Sequence, residues 1–217
     1  MTEVRRTFHE ELAKLREELV EMGSLAESMV EQAVEALRDR DLALAASIVA
    51  QDARVDSLDS DIEKRCLWFL ASQQPNTRDL RFISASFRMT SDLERIGDHA
   101  VDMAKVCRKL APGTDVDIII PLADLATEQL KRSLSVLNAY DADVLVKIFE
   151  QDPEIDNAFR AMREKLLDDA PVAPAATSLG YIILLVVSLE RIAHHAVHIA
   201  ERVHFVETGK LEVPRRE

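Results

Sequence analysis

Cysteine, glycine and proline are scarce here, with 2, 5 and 7 residues among 217, and aromatics make up only 5%. Two separated cysteines, Cys66 and Cys107, form no CxxC pair, which argues against a disulfide framework or a thiolate zinc site and for two buried small apolar residues. Few glycines and prolines leave few places for a helix to break. The longest uninterrupted apolar run, Tyr181 to Val187, falls well short of the roughly 20 residues that cross a bilayer. Met1-Thr2-Glu3 opens no signal peptide, so a cytoplasmic protein without a transmembrane segment is expected. Positive charge is also in deficit. A net charge of −12 speaks against nucleic acid as a partner, because that binding draws on phosphate neutralisation by clustered Lys and Arg. An acidic surface attracts cations and basic proteins instead.

What is abundant is Ala, Leu, Glu and Arg, residues that lose least on entering a helix. The fold class expected is all-α. Pauses at 39–41, around Pro75, at 111–117, at 138–141 and at 168–178 divide the chain into six long segments. The first, from about Thr2 to Arg38, repeats apolar residues at three- and four-residue steps: Leu12, Leu15, Leu19, Met22, Ala26, Met29, Ala33 and Leu37. Asp41 and Asp141 fit as N-caps, and Pro121 fits an early helical position. Pro153 falls inside the fifth segment, where a kink or a broken turn is expected.

The chain also repeats itself. Leu93-Glu94-Arg95-Ile96 with Ala100-Val101 returns 96 residues later as Leu189-Glu190-Arg191-Ile192 with Ala196-Val197. Upstream, Asp41, Asp52 and Asp56 return 100 residues later as Asp141, Asp152 and Asp156. The four-residue slip falls between proline-bearing connections, Gln74-Pro75-Asn76 and Ala170 to Pro174. A period near one hundred residues implies two domain-sized halves, each long enough to bury a core, whereas solenoid units are far shorter. Residues 1–112 and 113–217 should each form a three-helix antiparallel bundle, joined near Pro112-Gly113.

At 100° per residue, Glu94, Asp98, Asp102 and Lys105 share an arc of about 80°, as do Glu190, His194, His198 and Glu201. Leu93, Gly97, Ala100 and Ala104 fall on the adjoining arc and should face the core. Each polar stripe then borders a buried face. Asp52 and Asp56 stack one turn apart on the preceding helix, as do Asp152 and Asp156, and an antiparallel neighbour brings them towards the stripes. Solvated acidic faces are common, and like charges at i,i+4 cost only a few tenths of a kcal/mol. The repetition of the stripe, with His194 and His198 standing for Asp98 and Asp102, favours metal, because borderline cations accept both carboxylate and imidazole. Against it, His194 and His195 also fit as satisfied polar residues at a bundle edge, and Lys105 stands where Glu201 stands in the second stripe.

The run Ser91 to Val101, with Glu190-Arg191-Ile192 and the closing Glu201 to Gly209, resembles the PhoU family of bacterial phosphate-transport regulators. The resemblance covers nearly the whole chain. It implies two similar three-helix bundles side by side, a cytoplasmic and often dimeric protein, and Glu/Asp-xxx-Asp motifs that hold multinuclear iron or zinc clusters in some members. Those motifs fall on Glu94 with Asp98, on Asp52 with Asp56 and on Asp152 with Asp156; Glu190 with His194 departs from the pattern, as does Lys105. The resemblance further implies repression of the phosphate-starvation response through contact with the transporter's ATPase subunit and a sensor histidine kinase, without catalysis. Two other readings remain at this point. A di-metal carboxylate enzyme would use Glu-x-x-His motifs in a four-helix site, but Glu190 and His194 are i,i+4 and each half offers three helices. No HExxH zinc motif, phosphate loop or nucleophile elbow is present. A metal-free coupling protein would use its helix faces and acidic stripes to bind partners.

Overall fold

The computed structural model describes residues 3–72, 75–168 and 176–211. Six long helices and one short 3₁₀ turn account for the regular structure, and no strand occurs among the described residues. They are α1 (Glu3–Asp39), α2 (Leu42–Ser72), α3 (Thr77–Cys107), the 3₁₀ turn Asp117–Ile119, α4 (Ile120–Asn138), α5 (Ala142–Asp168) and α6 (Ala176–Thr208). The proline-bearing stretch 170–174 lies outside the described residues.

Local chemistry sets the boundaries. Arg40 takes a left-handed φ of 54°, and the Asp41 amide donates to the Ala36 carbonyl at 3.0 Å, closing α1 with a Schellman turn. The Arg40 guanidinium donates to the Thr114 carbonyl at 3.1 Å, which ties this turn to the link between the halves. Asp41 then caps α2 by accepting from the amides of Ala43 and Leu44, and Asp141 caps α5 in the same way through Asp143 and Val144. Asn76 caps α3, and Pro121 sits in the first turn of α4. Pro153 does not break its helix: α5 runs through it without interruption. Its ring is exposed, clear of the packed faces of the helix.

The α1 stripe from Leu15 to Leu37 is buried as its period requires, with Leu12 partly so. Leu93, Gly97, Ala100 and Ala104 of α3, and Leu189, Ala193, Ala196 and Ala200 of α6, are buried too. Cys66 and Cys107 are free and buried. Within each half the three helices pack against one another, but the most extensive helix contact in the molecule is between α3 and α6, across the halves. A second contact joins α1 to α4, where Gly23 leaves room for Leu134; a Cβ there would stand 2.7 Å from the Leu134 Cδ2 atom. The buried apolar residues therefore form one continuous cluster rather than two separate cores. The sequence led us to expect a core in each half. The contact of α3 with α6 merges the two.

One consequence concerns α6. Thr177–Thr208 is long and apolar enough by length and composition to cross a membrane, although its longest unbroken apolar run is short. More than half of its apolar window is buried inside the protein, against α3, α4 and α5. Its hydropathy is that of a central core helix.

A shared core ties the two halves into one unfolding unit. Leu93→Ala and Leu189→Ala are each expected to cost about 2–5 kcal/mol while preserving a single transition in urea, followed by circular dichroism. Two separated transitions in either variant would contradict the continuous core.

Candidate functional site

Along α3, Glu94 and Asp98 are half-buried and Asp102 is exposed, so the stripe borders the core as its arc requires. Asp52 and Asp56 of α2 face this stripe. Burial, followed by repulsion from Asp56, Asp98 and Asp102, raises the Asp52 carboxyl above its ordinary range, opposed by Lys105. Glu94 is raised by burial and by Asp98, opposed by Arg95. Arg95 lies 3.4 Å from Glu94 and 3.3 Å from Asp98, and Lys105 lies 3.8 Å from Asp102. Negative charge still prevails in this group.

The second half repeats the layout with different chemistry. Asp152 is raised by burial and by Asp156, with His194 and His198 opposing and Glu201 adding to the rise. The Asp152/Asp156 pair of α5 therefore faces His194, His198 and Glu201 of α6. Glu190 is the exception, held by an ion pair with Arg163. His194 is lowered by burial and by the neighbouring rings of His198 and His195.

The helices thus bring each predicted row beside its Asp-xxx-Asp pair. Convergence on one point occurs elsewhere. Among the described residues, the set whose ligand atoms all lie within 4.8 Å of one another is Asp92, His195 and His198. Only His198 belongs to the predicted rows. Asp92 Oδ1 lies 2.9 Å from His195 Nδ1 and 3.4 Å from His198 Nδ1, which bridges α3 of the first half to α6 of the second. Burial alone would raise Asp92, but hydrogen bonds and charge from the two imidazoles hold its carboxyl below the usual range. His198 is raised in turn, chiefly by its hydrogen bond to Asp92.

His99 and His195 occupy equivalent positions in the two repeats, and their rings stack on each other with centroids 6.1 Å apart. Equivalent residues meet in this way near the axis of a self-complementary contact. The repeat counterpart of Asp92 is the buried Ser188, so the two sides of the axis differ. The His99 Nδ1 is buried without a hydrogen-bond partner, and burial together with His195 lowers its pKa.

Chemically, the α2/α3 group is a set of oxygen donors whose mutual repulsion a cation would relieve, and the α5/α6 group mixes oxygen with imidazole nitrogen. Both donor sets suit a hard or borderline cation. Nucleophile, base and oxyanion donors in mutual register are not found among the described residues of either group.

The geometry acquires relatives on comparison with known proteins. A family model described as the PhoU domain matches residues 19–107 and again 119–203. The phosphate-specific transport system accessory protein PhoU homolog of Rhizobium meliloti is 35% identical over 93% of this chain and 87% of its own length. Its Synechocystis counterpart is 31% identical over 94% and 93%. Among solved structures, PhoU from Pseudomonas aeruginosa superimposes with a TM-score of 0.87 at 31% identity, covering 94% of this chain and all of its own. The phosphate transport system regulatory protein PhoU from Streptococcus pneumoniae gives 0.86 at 27% identity over 94% and 99%.

A carboxylate whose folded pKa is raised binds its proton more readily in the native state, so native stability falls as pH rises through the carboxylate range. In EDTA-treated protein, Asp52→Asn should therefore stabilise the fold at pH 7 by a few tenths of a kcal/mol, the scale of partly exposed charge pairs. The gain should shrink as pH falls below about 4. Urea midpoints at the two pH values check this, and a loss of stability at pH 7 would contradict it.

Proposed function

The chain belongs to the PhoU family, and on that footing we propose that it is a regulatory accessory protein of a phosphate transport system. The observation that carries this reading is likeness along the whole chain. Both repeats match the family domain, and the relatives named as phosphate-specific transport accessory proteins align over more than nine-tenths of the sequence. Those names are of accessory and regulatory proteins, not of catalysts. In this reading the protein is a cytoplasmic homodimer that acts by contact with the ATPase subunit of the phosphate ABC transporter and with a sensor histidine kinase. It represses the starvation response when phosphate is plentiful. The acidic surface implied by a net charge of −12 favours basic faces on such partners.

Metal belongs to the same proposal. Glu94 and Asp98 with Asp52 and Asp56 in the first half, and Asp152, Asp156, His194 and Glu201 in the second, would hold iron or zinc, in clusters of more than one ion. Asp102 and His198 flank the two sets. A bound cation would supply positive charge to the crowded carboxylates, and the side chains would fix the orientation of α2 on α3 and of α5 on α6. Arg95 and Lys105 compete with the cation in the first half, and Arg163 competes for Glu190 in the second.

Deletion of the gene is expected to raise phosphatase expression in phosphate-rich medium, with restoration by the parent chain. Unchanged expression would count against the regulatory role. Separately, Glu94→Ala combined with Asp98→Ala should lower the iron or zinc retained by purified protein. Equal metal in variant and parent, by elemental analysis, would remove the first-half cluster from the account.

A further inference from the structure

We propose that Asp92, His195 and His198 form a distinct site for one first-row divalent transition ion of the zinc type, which clamps the first half of the molecule to the second. This site is separate from the Asp-xxx-Asp groups above: it shares only His198 with them, and it does not rest on the regulatory reading. Its donors are already gathered. A tetrahedral zinc bound at about 2.0–2.1 Å places neighbouring ligand atoms roughly 3.3 Å apart, and the Asp92 oxygen lies 2.9 Å and 3.4 Å from the two imidazole nitrogens. All three ligand atoms lie within 4.8 Å of one another, so the imidazoles close on a bound ion from a gathered arrangement.

The donor chemistry selects the ion. Two imidazoles and one carboxylate suit zinc or ferrous iron, whereas magnesium and calcium prefer oxygen donors throughout. With Asp92 ionised, both Nδ1 atoms now direct protons at one carboxylate oxygen, so that one acceptor serves two donors. A cation would replace both protons. Asp92 and His195 are largely shielded, at 15% and 19% exposed, while His198 at 35% leaves an opening for the ion and for water in the fourth position. His99 supplies an independent observation at the rim. Its ring stacks on His195, and its Nδ1 is buried without a hydrogen-bond partner, an imidazole nitrogen beside the site that protein contacts do not use.

Position gives the site its consequence. Asp92 belongs to α3 and the two histidines to α6, the helix pair with the most extensive contact in the fold. A bound ion therefore stabilises the register between the halves, while the carboxylate groups each bridge helices within one half.

The test is a zinc titration of the EDTA-treated full chain against a competing chelator, with metal counted after dialysis and thermal unfolding followed by circular dichroism. Asp92→Asn/His195→Gln should bind one zinc fewer per chain than the parent. Its affinity at this site should fall by more than the 10- to 100-fold that loss of an outer-sphere partner costs. Zinc at about a hundredfold excess over Kd should raise the parent's midpoint by roughly 5–10 °C through this site, and the variant's rise should be smaller by that amount. Asp124→Asn, exposed on α4 and outside every donor set, should keep both the zinc and the rise. Should the double variant lose its helical signal, Asp92→Asn alone, which keeps the side-chain volume, is titrated with the same expectation. Parent-like stoichiometry and affinity in the Asp92/His195 variant would overturn the proposal, as would a zinc-dependent midpoint rise in that variant equal to the parent's.

Discussion

The close packing of α3 against α6 is the constraint on which the remaining structure depends. On each helix an arc of small and branched apolar residues is buried at helical spacing, Leu93, Gly97, Ala100 and Ala104 on one and Leu189, Ala193, Ala196 and Ala200 on the other, and Gly97 lies against Val55 and Met29 of its own half. Through the contact of α3 with α6 the cores of both halves run together. Burial of this kind is the dominant favourable term in folding. It also dictates where polar residues stand: a stripe one helical step away from the apolar arc must emerge at its border. The candidate sites are by-products of that geometry before they are anything else.

Duplication then places the same border twice, and divergence makes the copies chemically different. The first half gathers carboxylates, tempered by Arg95 and Lys105. The second substitutes imidazoles at His194 and His198 and locks Glu190 to Arg163. Near the axis between them, His99 meets its counterpart His195, but Asp92 meets no counterpart carboxylate, because Ser188 stands there. One side of the axis thus carries an Asp-His-His set and the other an imidazole nitrogen without a partner. A duplicated scaffold with unequal contents suits a protein that is to be read by others, since each half can present a different surface or respond to a different ligand.

Much of this was legible in the sequence because it rests on periodicity. The α1 stripe, the Asp41 and Asp141 caps, the buried cysteines and the core-facing arc of α3 all follow from spacing and residue type, and the structure places them accordingly. The placement of Asp52 near Asp98, and of Asp152 near His194, followed from antiparallel packing of adjacent helices. What escaped were the contacts that no period encodes. Asp92 has a serine as its repeat counterpart and belongs to neither polar stripe, and by spacing alone His195 fits as a polar residue at a bundle edge. Their meeting is a property of how the halves dock, as is the merging of two expected cores into one. Pro153 suggests a break, yet α5 continues through it because the flanking turns hold the helix on both sides.

Action by contact with phosphate-transport and phosphate-sensing partners is the proposal on which the functional reading turns. The most direct measurement is a pull-down of the tagged full-length chain from cell membranes, in parallel with and without phosphate, with quantitation of what is retained. Recovery of the transporter's ATPase subunit and a sensor histidine kinase is expected, in amounts that change with phosphate. Recovery of neither under both conditions would contradict it.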